Sequence, residues 1–450
     1  MTIGDRVAST ARMCIDFGTA LSKVSICLDP DLPLQVGVKQ LAIGAVTGAA
    51  HPLLTPSVMF VRGGRLYFGP TAFGHAHESI EDERDPLLSF KTVLGAHDTA
   101  RALAEHLPPS IDPTGTLRER DALVLYLAYL DQVIQEAIRR SEGLPPSMAT
   151  APRRFTSPVW RKDSNVERAM RDIFNEAAAV STKLGPLFLS SEGISIAQCK
   201  DALDKAAATP GDARLESGVF EPHAAAATAL AFTNSPARFV IVFDMGAGTT
   251  DIAAFDFDER SDPPSLTEIK EARQCSALAG DAIDHVMIDL LLRKRGAKDN
   301  SVEKARFLRA SRLGARDLKR DLFDTGKCTL RETWRATTLT LAELAVDPAF
   351  QSFQMQLRDT IGQSLAIVAA RSGPVDTIDV VLAGGGSGLP FLSDLVHAAA
   401  PQHLGRITLR VEPLSPTSPL YEGIDPYFSD VFPQIAMSIG GALVELMPPQ

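Results

Sequence analysis

Arg238-Phe-Val-Ile-Val-Phe-Asp-Met-Gly-Ala-Gly-Thr-Thr-Asp251 is the stretch that decides the fold. An apolar run of strand character delivers Asp244, glycines follow at 246 and 248, and a second β-rich run, Ile252-Ala-Ala-Phe-Asp-Phe257, begins at once. That order reads as a hairpin with a carboxylate at its bend. Met13-Cys-Ile-Asp-Phe-Gly-Thr19, continuing into Lys23-Val-Ser-Ile-Cys-Leu28, repeats the pattern with Asp16 and Gly18. A third run, Thr377-Ile-Asp-Val-Val-Leu-Ala-Gly-Gly-Gly-Ser-Gly-Leu-Pro390, reads instead as a strand entering a helix through glycines, with Pro390 near the first helical turn. The two acid-bearing hairpins are what two duplicated halves would carry.

Glycine turns let backbone N–H groups approach a phosphate, because no Cβ stands in the way. An adjacent Asp alone would repel that phosphate, so the pattern makes sense with a divalent cation between them. Mg²⁺, commonly held by one or two carboxylates plus substrate phosphates, is the expected ion. The chain contains no GxxxxGK[ST] sequence, so this is not a P-loop.

Between these runs lie helical patterns. Ala122 to Arg140 is apolar and Ala-rich, and Asn165 to Val180 follows a possible cap at Asp163-Ser164. Asp281 to Arg295 puts Ile283, Val286, Met287, Leu290 and Leu291 on one face, and Leu357, Ile361, Leu365 and Val368 do the same later. The 450 residues suggest two to four domains or subdomains. With 45 basic and 55 acidic residues the net charge is −10, and no basic stripe occurs, which argues against nucleic acid as a partner. Five scattered cysteines form no CxxC pair and read as thiols in a reducing compartment. The first residues lack the apolar core of a secretory signal. The uncharged stretch from Gln40 to Val61 contains two prolines and reads as loop plus strand, not a membrane span. The expected location is the cytoplasm, with no membrane partner.

With these motifs in order, the sequence resembles the actin and 70 kDa heat-shock chaperone superfamily of ATPases, most closely the chaperone branch. Asp16-Phe-Gly-Thr19 resembles its first phosphate motif, Asp244 to Asp251 its second, and Ala383-Gly-Gly-Gly-Ser-Gly-Leu-Pro390 its adenosine motif. Glu221-Pro-His-Ala-Ala-Ala226 is similar to a hinge element, and Phe155-Thr-Ser-Pro-Val-Trp160 to the strand before it. Ser89-Phe-Lys-Thr-Val-Leu-Gly95 is similar to the segment with the family's catalytic lysine. The order holds from residue 13 to about 445.

The resemblance implies an α/β, two-lobed actin-like ATPase fold: two ribonuclease-H-like domains around a nucleotide cleft, each with an inserted subdomain. Residues 1–235 would form lobe I, with 51–147 inserted. Residues 236–430 would form lobe II, with 276–349 inserted, and 431–450 would return to lobe I as a helix. It further implies that Asp16, Asp244 and Asp251 organise Mg²⁺, and that Gly18, Thr19, Gly246, Ala247, Gly248 and Thr249 contact ATP or ADP phosphates. Lys91 would position the attacking water beside the γ-phosphate, supported by Glu221, with Asp244, Asp251 and Thr249 completing the catalytic set. Gly384, Gly385, Gly386 and Ser387 would admit the adenosine, and Lys319 and Arg320 would flank it.

Three positions depart from the pattern. Ala20 replaces a threonine, Gly388 replaces the adenine-stacking arginine, and Arg316 stands where an acid is expected, with Asp317 beside it. These changes predict weaker adenosine binding. The sequence beyond the helix-like segment 435–446 is short, so a peptide-binding domain is expected to be absent. The function expected is a chaperone-like ATPase that slowly hydrolyses Mg-ATP, its lobe closure acting as a switch for a protein partner. A filament-forming ATPase, a nucleotide-binding pseudo-ATPase and a small-molecule kinase are the alternatives that share the fold.

Overall fold

A computed structural model of the protein describes residues 11–29, 32, 37–80, 83–157, 166–232, 237–258, 260, 265–296, 301–332, 335–373, 377–400, 407–415, 428–429 and 431–443. The possible cap at Asp163-Ser164, the residues 158–160 and the segment 444–446 lie outside them. The protein is α/β, and its chain divides into two compact units. The first comprises Met1–His75, Pro86–Ser235 and Leu414–Gln450; the second comprises Ala76–Asp85 and Pro236–Pro413.

The first unit is built on a mixed sheet of strands β1 (Arg12–Phe17), β2 (Leu21–Cys27), β3 (Val38–Gln40), β4 (Arg153–Ser157) and β5 (Leu215–Phe220). Their order is β3-β2-β1-β4-β5, with β1–β2 and β2–β3 antiparallel and β1–β4 and β4–β5 parallel. β1 and β2 are buried along nearly their whole length, and in β2 the buried positions include Ser22, Lys23 and Ser25 as well as apolar residues.

Helix α1 (Glu119–Arg140) begins with Glu119 and Asp121 in its first turn and ends on Arg139 and Arg140, charges that suit the helix dipole at both ends. The apolar pattern finds this helix three residues late, because its acidic first turn looks like loop. Asp131 of α1 forms a buried ion pair of 2.6 Å with Arg153 of β4, and Gln132 donates to Ser181 of α2 (Val166–Leu184) at 2.9 Å. The stretch 40–61 includes a short helix, Ile43–Thr47, in addition to the expected strand residues, Val58–Arg62.

Helix α3 (Glu221–Phe232) carries the alanine run Ala224–Ala227. A late helix of the chain, Phe432–Ala442, lies against it so closely that a Cβ on Gly440 would stand 1.8 Å from the carbonyl oxygen of Ala224. Small side chains on both helices are therefore a packing requirement. Thr228 Oγ1 donates to Ala436 O at 2.6 Å, and Ser438 shares a 2.7 Å hydrogen bond with Ser25 of β2, which fixes the late helix to the sheet.

The second unit repeats the plan. Strands β6 (Phe239–Met245), β7 (Thr250–Asp258), β8 (Ser265–Glu268), β9 (Thr377–Ala383) and β10 (Thr408–Pro413) lie in the order β8-β7-β6-β9-β10. β6–β7 and β7–β8 are antiparallel, and β6–β9 and β9–β10 are parallel, the same directions at the same places. Helices α4 (Gly280–Arg295), α5 (Val302–Thr325) and α6 (Pro348–Arg371) come between β8 and β9, and α7 (Phe391–Ala399) between β9 and β10. The late helix Phe432–Ala442 is α8. Ile283, Met287 and Leu291 of α4 and Leu357, Ile361, Leu365 and Val368 of α6 are buried in this unit's core, as their spacing requires. Among the described residues no helix is long and apolar enough to cross a membrane.

Candidate functional site

In the first unit β1 delivers Asp16 one residue before its end, and the chain reverses through residues 18–20 into β2. Gly18 has no room for a side chain: a Cβ there would come within 2.3 Å of Leu21 O. The turn is braced from below, since Ser57 Oγ donates to Gly18 O at 2.8 Å and Ser57 N to Ala20 O at 3.0 Å. Ser57 in turn meets Ser22 at 3.1 Å, and Ser22 meets the Tyr126 hydroxyl of α1 at the same distance. A buried hydroxyl cluster thus holds the turn rigid.

Asp16 itself is buried and accepts two hydrogen bonds, from Lys23 Nζ at 2.8 Å on one oxygen and from Thr156 Oγ1 at 2.7 Å on the other. Neither partner is apparent from the motif. Thr19 stands on the half-buried turn. Lys91 and Glu221, more than a hundred residues apart in sequence, form a buried ion pair of 2.9 Å. Lys91 lies in a tight 3-10 turn, Phe90–Gly95, entered through Ser89 at φ 53°. Its ammonium also sits 5.6 Å from the centre of the Phe17 ring, next to Asp16 in sequence. Glu221 occupies the first turn of α3, where the helix dipole favours an acid.

In the second unit Asp244 again sits one residue before the strand end, and residues 246–249 make the turn, closed by Gly246 N to Thr249 O at 2.9 Å. Asp244 is paired directly across the strands with Asp251, and Asp251 on its other side with Cys275. Directly opposed residues project from the same face about 5 Å apart, so two buried carboxylates share one place. Like charges there disfavour each other unless a cation or a proton intervenes.

β9 runs beside β6 with Ala383 opposite Asp244, and the chain then turns at Gly384 with φ 79°. A Cβ on Gly384 would lie 2.3 Å from Asp244 Oδ1, and one on Gly386 would lie 2.5 Å from Met245 Cγ. Gly386 N donates to Met245 O at 2.9 Å, which fastens the adenosine-like motif to the strand carrying Asp244. Ser387 is buried there, while open space surrounds the Cβ positions of Gly385 and Gly388.

The start of α4 also docks on the turn, with Gly280 N to Gly246 O at 3.1 Å and Asp281 N to Ala247 O at 2.8 Å. Lys319 reaches this point from α5, donating to Gly280 O at 3.0 Å and pairing with Asp284 at 2.9 Å. Asp284, not Asp317, is therefore its acid. Arg320, the next residue of α5, is mostly exposed and pairs with Asp317 on the helix surface.

The second unit thus gathers Asp244, Asp251, Gly246, Ala247, Gly248, Thr249, Gly384, Gly386, Ser387 and Lys319 around one turn, and the first gathers Asp16, Gly18, Lys91 and Glu221 in its own. Among the described residues no cluster of three or more His, Cys, Asp or Glu side chains suits a metal. The opposed pair Asp244–Asp251 still fits Mg²⁺, which takes one or two carboxylates and completes its shell with water and phosphate oxygens.

No protein-family model matches the chain. A segment of 177 residues, 38% of this chain, is 29% identical to a protein from Methylibium petroleiphilum. That protein is a chaperone, an HscA homolog. The matched segment covers 26% of its length, so the chain spans about a quarter of the curated relative it matches.

All five cysteines are thiols, and four are buried. Burial pushes Cys14 well up, with the charge of Asp16 adding to it, and raises Cys199 to about 12 and Cys328 to about 11. Cys27 is raised in the same way. Raised thiols stay protonated near neutral pH and are poor nucleophiles. An aromatic disulfide reagent is therefore expected to modify exposed Cys275 within minutes and the other four only after denaturant is added. Two or more rapid thiols in the native protein would contradict this assignment of burial.

Proposed function

We propose that the chain is a magnesium-dependent ATPase of the 70 kDa heat-shock chaperone type, with two actin-like lobes whose closure on ATP, and release on hydrolysis to ADP, switches affinity for a protein partner. The observation that carries this reading is the duplicated hairpin: the same Asp-x-Gly bend, at the end of the first strand of two sheets with one strand order. Similarity to a chaperone over part of the chain supports the branch.

On this reading Asp244 and Asp251 would hold Mg²⁺, which supplies charge neutralisation to the phosphates. Gly18, Thr19 and the 246–249 turn would receive the phosphate oxygens, and Gly384–Ser387 the adenosine side. Lys91, kept in place by Glu221, would stabilise charge on the transferring phosphoryl group; such reactions depend on positioning and electrostatics more than on a strong base. Lys319, docked against the 246–249 turn, would contribute on the adenosine side, and Arg320 follows it one residue along α5, paired with Asp317 on the helix surface.

ATP hydrolysis measured with magnesium and with chelator tests the reading, alongside sedimentation of the same sample. Slow, magnesium-dependent release of phosphate without pelleting is expected. Pelleting on addition of ATP would favour a filament former, and an absence of both hydrolysis and nucleotide binding would end the proposal. Cys275 gives an independent readout, since it lies across the strands from Asp251. Mg-ADP should slow its modification severalfold, whereas unchanged labelling at saturating nucleotide would place the ligand elsewhere.

A further inference from the structure

The two hairpins are alike in backbone and opposite in charge. Seven residues after the acid, at the position directly across the strands, the second hairpin has Asp251 and the first has Lys23. We propose that Lys23 makes the first hairpin an anion site that needs no metal, so that a divalent cation is required at the second hairpin alone. This rests on the nucleotide-binding reading above and assigns to it a phosphate-contacting residue.

Geometry at Asp16 carries the argument. Its two oxygens are held by Lys23 Nζ at 2.8 Å and Thr156 Oγ1 at 2.7 Å, so a metal bound directly there would have to displace one of them. The Asp16–Lys23 pair is neutral, whereas Asp244 and Asp251 together bring two negative charges. A phosphate nearing the second bend meets repulsion that only a cation relieves. At the first it meets an ammonium already in place.

That ammonium is poised for the task. The Lys23 side chain is 11% exposed, and the Cβ position of Gly18 lies 3.2 Å from Nζ, so the charge sits directly against the turn. A lysine carries three N–H donors, and among the described residues Nζ has one acceptor, Asp16 Oδ2. Two donors remain for oxygens that settle on the turn, and a hydrogen bond from an ammonium to a phosphate is of the strong, charge-assisted kind.

Calorimetry with inorganic pyrophosphate in the presence of chelator tests this, with Mg-ADP titrated in parallel. The wild-type protein is expected to bind pyrophosphate without metal, and Lys23→Met to weaken that binding by about tenfold or more, a loss typical of one charge-assisted hydrogen bond. Asp16→Asn with Lys23→Met removes both charges together and leaves no buried carboxylate unpaired. It should show the same loss if the single variant does not fold. Binding of Mg-ADP but not of metal-free pyrophosphate would overturn the assignment of Lys23 and spare the nucleotide reading, as would equal pyrophosphate affinity in wild type and both Lys23 variants. Failure of both ligands to bind would overturn the two together.

Discussion

Gly440→Val is expected to be strongly destabilising, lowering unfolding free energy by about 3 kcal/mol or more. Two effects compete at this position. A side chain in place of glycine inside a helix helps by up to about 1 kcal/mol. Against it stands contact with backbone: even the first added carbon would lie 1.8 Å from Ala224 O, 2.6 Å from its carbonyl carbon and 2.8 Å from Thr228 Oγ1. A neighbouring flexible side chain could move away, but the body of α3 cannot without shifting its Thr228–Ala436 bond. The clash wins. Gly74, a helical glycine with open space around its Cβ position, is the control, and Gly74→Ala should be neutral or slightly stabilising. Equal melting temperatures for the two variants would show that the α3–α8 crossing is looser than described.

Asp251→Asn should move activity and stability in opposite directions. Two carboxylates directly opposed and buried repel each other, so removing one charge is expected to stabilise the metal-free protein by up to about 1 kcal/mol. The same change removes half of the proposed Mg²⁺ ligation, and magnesium-dependent hydrolysis should fall by about two orders of magnitude. Thermal stabilisation by added magnesium should shrink along with it. A merely structural acid would show loss of stability on substitution and no change in the magnesium effect. Turnover at the wild-type rate would remove Asp251 from the site.

Much of this architecture can be read from residues alone where burial is complete. The strands at 12–17 and 239–245 are almost wholly buried, apolar but for Arg12 and the two acids, whereas 377–383 buries Ile378, Val380 and Leu382 in alternation, and both acids fall where the pattern puts them. The helices α4 and α6 follow from the spacing of their buried residues. What resists such reading is pairing at a distance. Lys23 looks like a solvent-facing interruption of a strand, yet it is the counter-charge of Asp16, and only the matching seven-residue offset in the other hairpin gives it away. Thr156 and Asp284 acquire their roles from strand order and helix docking, which no local window contains. Arg320, one step along α5 from Lys319, is found paired with Asp317 on the helix surface, a partner that the motif does not suggest.

Helix α8 belongs to the first unit although β6 to β10 come before it in the chain. During synthesis the sheet of β1 to β5 leaves the ribosome early, but the helix that seals α3 and Ser25 emerges only after every strand of the other sheet. The earlier-made half must therefore wait, its apolar surface uncovered, while the later-made half can already be complete. Contacts closed over so long a stretch of chain are slow to form and leave time for misassembly.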